Sequence, residues 1–417
     1  MKKMKANRVE RHIIYPKNPY YKMLDEYCFK SKNLYNFANY QIRQKFCSES
    51  KYISYNQMDK LLKQEGMNTD YRNMPTAQSA QQVLKLLDKN WKSFFKAIKD
   101  WSNHKEKYTG RPKLPNYLPK NGRYILLLTS QNCKLKDGQI HFPKAFNGFI
   151  LNTKVDKIKQ IRILPRHNHI VIEVVYQVEV LEPKQDNGRY ISIDIGLDNF
   201  ATIGNNIGVK PIILNGKGLK SINQYYNKKI SHYREIAKRM NNLDYTNRMN
   251  KLTTKRNNKI SDFIHKASKY VVDYALSLNV NTIVIGNNKD WKRESKMNKK
   301  VNQSFVGIPH QEFIQKIIYK AQNVGIKVIL VEESYTSGTS FLDKELPIKD
   351  NYNKSRRVCR GLFRSNAGIL INADLNGAYQ IMKKVFPKVF SEGIEGVGLH
   401  PIRVNIAWNM LTDKQFY

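Results

Sequence analysis

Acidic residues are scarce in this chain of 417 residues. It has 34 Asp and Glu against 72 Lys and Arg, which gives a formal net charge of +38 at pH 7. The basic residues occur along the whole chain, among 25 Tyr and 17 Phe, and do not form one terminal tail. A Lys- and Asn-rich proteome accounts for part of the lysine excess but not for the shortage of acids. The composition therefore favours a polyanionic partner, and cations interleaved with aromatic rings indicate nucleic acid.

Cysteines are few, and long hydrophobic runs are missing. The four cysteines, Cys28, Cys47, Cys133 and Cys359, are far apart and form no CxxC pair. This spacing predicts neither a disulfide framework nor a Cys₄ zinc site. No window approaches 18 consecutive apolar residues, and the basic start of the chain lacks a following apolar stretch of signal-peptide length. We expect a soluble intracellular protein with reduced thiols and no membrane partner.

Two segments 180 residues apart each place one aspartate where an apolar run becomes polar. In 189–203, alternating isoleucines predict a strand from which Asp194 points off one face. In 369–381, apolar residues at helical spacing place Asp374 near a helix start. Carboxylates suit Mg²⁺ or Mn²⁺, and two such ions can clamp the attacking and leaving oxygens of a phosphodiester. The alternative for either aspartate alone is a strand end or a helix cap.

Turn and proline signals divide the first 185 residues. Residues 11–101 read as a short strand followed by helices, and the Pro-rich stretch 109–119 cannot hold a regular helix. Alternating runs between residues 124 and 180 predict a small antiparallel barrel or sheet, which the first strand can join.

From residue 186 the pattern changes to an α/β alternation. The basic stretch 219–278 reads as helices with breakpoints at 241–244 and 257–258. After it, Thr282–Ile285 is a predicted buried strand, Gln311–Val324 a helix and Lys327–Val331 a second strand. This order predicts a right-handed crossover in a parallel sheet.

Several landmarks together resemble the TnpB family, the OrfB-type proteins of insertion-sequence transposons, which is related to the type V CRISPR effectors. They are the Asp194 strand, Tyr335-Thr-Ser337, Ala373-Asp-Leu-Asn-Gly-Ala378, Gly110-Arg-Pro-Lys-Leu-Pro115 and Gly216-Lys-Gly-Leu-Lys220. The resemblance implies an RNA-guided DNA endonuclease that cleaves DNA phosphodiesters with Mg²⁺ or Mn²⁺. Its implied partners are a guide RNA from the transposon end and target double-stranded DNA, in the cytoplasm and nucleoid of a prokaryote.

The resemblance also implies a domain plan. Residues 1–20 and 110–185 correspond to a wedge β-barrel, and 21–109 to an inserted helical recognition domain. Residues 186–335 and 369–417 correspond to a RuvC-like nuclease domain of the α/β RNase H-like fold. Residues 336–368 correspond to a degenerate zinc ribbon that loads the target strand.

One departure from the family pattern concerns the middle carboxylate. The family carries a Glu at the end of its second nuclease strand, but Gly286 stands there, and a glycine side chain cannot bind metal. Glu332 and Glu333 follow the neighbouring strand and are expected at the same sheet edge, about 5 Å away across the strand pair. We predict that Glu333, or else Glu332, replaces the missing ligand beside Asp194 and Asp374. The alternatives are two exposed strand-end charges and a dead site.

A second departure concerns the zinc ribbon, where the family commonly shows two CxxC pairs. The corresponding positions are Ser340, Asp343, Arg364 and Ala367, so we predict no structural zinc. The same span carries a basic cluster, for which we predict nucleic-acid contacts near Asp374. A solvated loop is the alternative. The predicted contact residues are Arg356, Arg357, Arg360 and Arg364.

The sequence is compatible with three functions. The first is a metal-dependent RNA-guided DNA endonuclease. The second is a nuclease-inactive, repressor-like RNA-guided DNA-binding protein, for which Gly286 is the best argument. A direct cut-and-paste transposase is the third, but it needs a strand-joining activity for which the sequence offers no separate motif.

Overall fold

The computed structural model describes residues 3–64, 66–288, 303, 307–359, 361–390 and 398–406. The chain divides into two compact units, Lys5–Glu179 and a second unit made of Met1–Met4 with Val180–Tyr417. Within the described ranges, no helix is long and apolar enough to cross a membrane.

The Lys5–Glu179 unit combines helices with two antiparallel sheets. Its four helices are α1 (Tyr21–Glu49), α2 (Tyr55–Leu62), α3 (Thr69–Arg72) and α4 (Ala77–Asn103). One sheet has the strand order β1-β7-β6-β2, with β1 (Lys3–Ile14), β2 (Leu126–Thr129), β6 (Ile158–Pro165) and β7 (Ile170–Leu181). The other sheet joins β3 (Lys134–Lys136), β4 (Gln139–His141) and β5 (Ile150–Asn152). The first strand thus joins the sheet, as the sequence indicated.

Polar side chains of α1 hold the Pro-rich connector that precedes β2. Asn36 both donates to and accepts from the backbone of Leu118, and Asn39 donates to Pro115 O at 3.0 Å. The Oδ1 atom of Asn39 accepts a hydrogen bond from the buried Trp91 indole of α4. The connector therefore stays irregular, because proline removes backbone donors and α1 satisfies the carbonyls.

The second unit is built on a mixed six-stranded sheet of order β12-β11-β8-β9-β10-β16. Strands β8, β11 and β12 are parallel, β9 is antiparallel to β8 and β10, and β16 is parallel to β10. The strands are β8 (Tyr190–Ile195), β9 (Asn199–Asn205), β10 (Ile212–Asn215), β11 (Thr282–Gly286), β12 (Lys327–Val331) and β16 (Ile402–Val404). A smaller sheet joins β13 (Arg357–Cys359), β14 (Leu362–Arg364) and β15 (Leu370–Asn372).

Four described helices flank this sheet: α5 (Lys217–Asn241), α6 (Asn247–Ser277), α7 (His310–Asn323) and α8 (Ala373–Val385). The alternation along β8 separates two environments. Ile191, Ile193 and Ile195 join a core with α6 and α7, while Asp194 faces Gly377 of α8. A two-residue period therefore puts apolar side chains on one face of the sheet and the site carboxylate on the other.

The helical insertion between β10 and β11 differs from the sequence prediction in one place. The turn after α5 forms as expected, with Asn242 in the left-handed conformation at φ 50°. The predicted break at 257–258 is wrong, because α6 continues through both asparagines. Buried residues on either side, including Ile260 and Phe263, pack on the core, and this packing outweighs the weak helix propensity of asparagine.

Candidate active site

Three elements of the second unit bring carboxylates to one edge of the sheet. Asp194 lies near the end of β8, and Glu333 lies two residues after β12. Asp374 is the second residue of α8, whose first turn is capped by Asn372 Oδ1, which accepts from the backbone N–H groups of Asp374 and Leu375. The carboxyl ends of parallel strands meet here, where open α/β sheets gather ligands.

Gly286 ends β11, between the Asp194 strand and the Glu333 strand. A Cβ atom at this position would lie 2.6 Å from Glu333 Cγ and 2.6 Å from Ile381 Cδ1, and closer still to Glu333 Oε1. Glu333 therefore occupies, from the next strand, the space that a side chain at position 286 would need. Glu332 is exposed. The two neighbouring glutamates thus have opposite orientations, and only Glu333 enters the site.

The electrostatics of the site reflect this gathering of like charges. The pKa of Asp194 is raised well above its usual value, first by burial and then by repulsion from Glu333 and Asp374, while Arg357 opposes the shift. Burial raises the pKa of Glu333 to about 7 against the opposing charge of Lys384. Both shifts show that the site favours loss of negative charge or gain of a cation.

Asp374 is engaged on both oxygens. Its Oδ2 accepts from Asn199 Nδ2 at 2.6 Å, and its Oδ1 accepts from Arg357 Nη2 at 3.2 Å. The carboxylate lies in a cleft of about 870 Å³, which Lys217 and Arg403 also line. A cleft with three cations around one carboxylate is suited to a phosphate-bearing ligand.

The donor set fits a hard cation such as Mg²⁺ or Mn²⁺. Glu333 Oε1 is buried and has no hydrogen-bond partner among the described residues. Gly377 leaves room at the site, since a Cβ atom there would lie 2.7 Å from Asp194 Oδ2. Oxygen-only ligands and an unsatisfied carboxylate oxygen are what such an ion requires. As the side chains stand, no three His, Cys, Asp or Glu residues in the described ranges enclose one ion.

The predicted basic cluster separates in the structure. Arg357 reaches Asp374, and Arg364 is exposed on β14. Arg356 is already ion-paired, because its Nη1 donates at 2.7 Å to both carboxylate oxygens of Glu345. The contact of these arginines with nucleic acid stays a prediction. Arg360 lies outside the described residues.

A hydrogen-bonded network holds the segment where the sequence analysis placed a degenerate zinc ribbon. Glu345 Oε2 accepts from the backbone N–H of Ser340, and Asp343 Oδ2 accepts from that of Asn366, both at 2.8 Å. The Arg356–Glu345 ion pair is mostly shielded, with 17% and 16% of the two side chains exposed. Polar contacts thus join the two ends of this segment.

Sequence reasoning missed Asn199 and Lys384. Asn199 follows Asp194 by five residues across a tight turn in which Gly196 N donates to Phe200 O, and no local signal marks it. Lys384 follows Gly377 by seven residues, a spacing that returns to the same face of a helix. Asn376, two residues after Asp374, accepts from the backbone N–H of Phe341 and donates to the carbonyl of Thr339.

Two family descriptions match this chain. The OrfB_IS605 family, described as a probable transposase, matches residues 173–292. The Cas12f1-like TNB domain matches residues 310–381. The predicted resemblance to the TnpB family and its type V relatives is thus confirmed. The match to the OrfB-type family covers the Asp194 and Gly286 strands, and the TNB match covers Glu333 and Asp374.

Individual relatives agree with this family. The CRISPR-associated endodeoxyribonuclease Cas12f1 of Sulfoacidibacillus thermotolerans is 30% identical over 132 residues, 31% of this chain and 28% of that protein. The TnpB-like protein ORF457 of Acidianus two-tailed virus is 24% identical over 234 residues, 54% of this chain and 48% of that protein. The matched segments therefore span less than half of either relative.

Solved structures of Cas12f assemblies are among the similar folds. A Cas12f1–sgRNA–target DNA complex aligns over 90% of this chain and 98% of that chain, with 15% identity and a TM-score of 0.36. A CRISPR–Cas12f ternary complex aligns over 86% of this chain and 80% of that chain, with 14% identity and a TM-score of 0.37.

Proposed function

We propose that this TnpB relative is an RNA-guided, metal-dependent DNA endonuclease. The observation that carries the proposal is the exchange at Gly286, where Glu333 fills from β12 the space of the missing side chain. A residue that merely lost its function would leave that space empty or fill it with an apolar group. Instead, a carboxylate with a buried unsatisfied oxygen lies beside Gly286 and close enough to Asp194 to raise its pKa. The site therefore keeps three carboxylates.

The sheet supports a RuvC-like assignment of the RNase H-like fold to the second unit. The order β10-β9-β8-β11-β12, with β9 antiparallel, places Asp194 on the central strand, and α8 brings Asp374 to it. The two antiparallel sheets of the Lys5–Glu179 unit supply the proposed wedge, 1–20 with 110–185, and α1 to α4 supply the recognition part, 21–109.

Asp194, Glu333 and Asp374 would hold Mg²⁺ or Mn²⁺, which lowers the pKa of an attacking water and stabilises charge on the phosphodiester. Other residues of the chain position the ligands and the substrate. Asn199 fixes Asp374 through one oxygen, and Arg357, which bonds the other, would release it to the ion. Lys217 and Arg403 neutralise the phosphates of a strand in the cleft. Base pairing with the guide supplies the target sequence.

One observation favours a second candidate, RNA-guided DNA binding without cleavage. The described carboxylates do not enclose one ion as they stand, and Arg357 occupies an oxygen of Asp374. For cleavage, Asp374 must exchange this guanidinium for the ion. If the exchange does not occur, the chain binds DNA and represses.

The test compares two neighbouring glutamates in the protein copurified with RNA from its own locus. Plasmid cleavage is measured with Mg²⁺ and a guide-matched target beside a randomised flank. We expect Glu333→Gln and Asp194→Ala to lose at least ~100-fold in cleavage rate, as removal of a metal ligand implies. Glu332→Gln, a matched change at an exposed position, should cleave like the wild type. Guide-dependent binding with no cleavage by the wild type would establish the second candidate.

A further inference from the structure

Helix α8 contacts the site with one face over its whole length. Asp374, Gly377, Ile381 and Lys384 follow one another at spacings of three, four and three residues, which align on one side of an α-helix. Gly377 lies against Asp194, and Ile381 lies beside the position of the Gly286 side chain. The fourth member, Lys384, has no role in the function proposed above.

Lys384 holds the backbone on both sides of Glu333. Its Nζ donates to Glu332 O at 2.9 Å, to Ser334 O at 2.6 Å and to Ser334 Oγ at 3.0 Å. These three acceptors use the full donor capacity of an ammonium group. The intervening carbonyl of Glu333 accepts from Thr336, from its backbone N–H at 3.2 Å and from its hydroxyl at 2.8 Å. All three successive carbonyls are therefore fixed.

A helix-capping role does not account for these contacts. A lysine in the last turn of a helix can interact with the free carbonyls of that same helix. The Nζ of Lys384 instead donates to a separate segment that follows β12. This segment needs an external clamp, because it leaves the sheet and turns at Tyr335 with φ 65°.

We propose that Lys384 is a positioning residue that aims Glu333 into the metal site. Glu333 lies beyond the end of β12, where the sheet no longer fixes the backbone, and the hydrogen bonds from Lys384 fix it instead. This inference rests on the proposed function, because it assigns Glu333 as a metal ligand. Lys384 acts through the peptide groups of residues 332–334 and does not touch the ion.

The test measures metal binding directly, by Mn²⁺ titration followed by electron paramagnetic resonance in the absence of nucleic acid. We expect Lys384→Met to weaken the Asp194-dependent Mn²⁺ binding by roughly 10-fold, the lower range for groups that orient metal ligands. Lys383→Met is the matched control. Lys383 is the next residue on α8 and also donates to carbonyls, but to those of Lys344 and Glu345. Its Mn²⁺ affinity should match the wild type even where its melting temperature falls.

A double variant separates positioning from general destabilisation. In the Glu333→Gln background, Lys384→Met should cause no further loss of Mn²⁺ affinity, because the ligand that it aims is gone. Lys384→Gln keeps a shorter hydrogen-bond donor and should therefore lose less Mn²⁺ affinity than Lys384→Met. It also provides a measurement if Lys384→Met does not fold. Equal Mn²⁺ affinity of Lys384→Met and wild type would overturn the inference, as would an equal further loss in the Glu333→Gln background. A wild type without Asp194-dependent Mn²⁺ binding would overturn the proposed function itself.

Discussion

At the scale of single residues, the site depends on one space shared by two positions. Gly286 provides the space, and Glu333 fills it. The same carboxylate would ordinarily come from position 286 in the family pattern. We therefore expect the two positions to be exchangeable only as a pair.

The first prediction tests this exchange. Gly286→Glu alone should reduce cleavage by at least ~100-fold, because two glutamates cannot occupy the space of one and the crowding costs about 1–3 kcal/mol of stability. The double variant Gly286→Glu/Glu333→Gly should recover cleavage to within about 10-fold of the wild type, since a carboxylate is again present once. Plasmid cleavage and thermal unfolding check both. Gly110→Ala, at a glycine with open space, is the control. A double variant as inactive as Gly286→Glu would contradict the exchange.

Some of the candidate site residues were predictable from the sequence and others were not. Asp194 and Asp374 were recognisable because each stands at a change of pattern that local periodicity reveals. The choice between Glu332 and Glu333 was not recognisable, because it depends on a turn that Lys384 fixes from a distant part of the chain, together with the local bond from Thr336. The ion pair of Arg356 with Glu345 was also not predictable, because it leaves no trace in local composition.

At the scale of elements, two helices meet at a half-buried lysine. Lys320 of α7 donates to His265 O at 2.6 Å and to Ser268 Oγ at 2.8 Å on α6. Burial, and then repulsion from Lys316 and Lys269, lower the pKa of Lys320 to about 8. Folding therefore carries a penalty while this lysine is charged.

The second prediction follows from the sign of this shift. Below pH 8 Lys320 is charged in both the folded and unfolded states, so the full penalty is present. As pH rises from about 8 toward the unfolded value of 10.5, the folded state binds fewer protons, and the free energy of unfolding increases. The difference in unfolding free energy between wild type and Lys320→Met, measured by urea unfolding from pH 7 to 9.5, should rise with pH. Lys327→Met, at an exposed strand position, should give a flat difference. A flat difference for Lys320→Met would contradict the shift.

The third prediction concerns the segment between β12 and α8. Arg356→Met should destabilise the second unit by about 1–3 kcal/mol, because it leaves the shielded Glu345 carboxylate without its ion-pair partner. Arg364→Met, at an exposed position, should change stability by less than about 0.5 kcal/mol. Thermal unfolding checks both variants. Equal stability of the two would mean that the Arg356–Glu345 pair does not hold the segment.

Helices and strands were predictable from the sequence where tertiary packing and local backbone preference favour the same structure. The strands and helices around Asp194 and Gly286 follow hydrophobic periodicity, and a buried sheet enforces it. The break at 257–258 was wrong because the burial of residues such as Ile260 and Phe263 outweighs two asparagines. The small sheet of β13, β14 and β15 escaped prediction, since three-residue strands carry too little periodicity to read.

At the scale of the whole molecule, the excess positive charge is spread along the chain and is also concentrated in one helical region. Residues 217–260, which cover α5 and the first half of α6, contain twelve Lys and Arg but two acids. Lys251, Lys255 and Lys259 are exposed and stand four residues apart, on one face of α6. A charged stripe of this kind has no packing role, and it is suited to a run of backbone phosphates.

The fourth prediction uses this stripe to measure how the charge is employed. The affinity of the protein for its locus RNA should fall steeply with salt, because each phosphate contact contributes a slope of about −0.7 to −0.9 in log K against log[salt]. Replacing Lys251, Lys255 and Lys259 by Gln should reduce the magnitude of the slope by roughly 2–3, one contact for each lysine. Lys269→Gln is the control on the same helix, since Asp273 already pairs with Lys269 at 2.7 Å. Filter binding over a salt series from about 50 to 400 mM, a range in which counterion release changes the affinity strongly, gives both slopes. An unchanged slope in the triple variant would place the RNA on another surface, and a flat wild-type response would mean that the excess charge is not a binding surface.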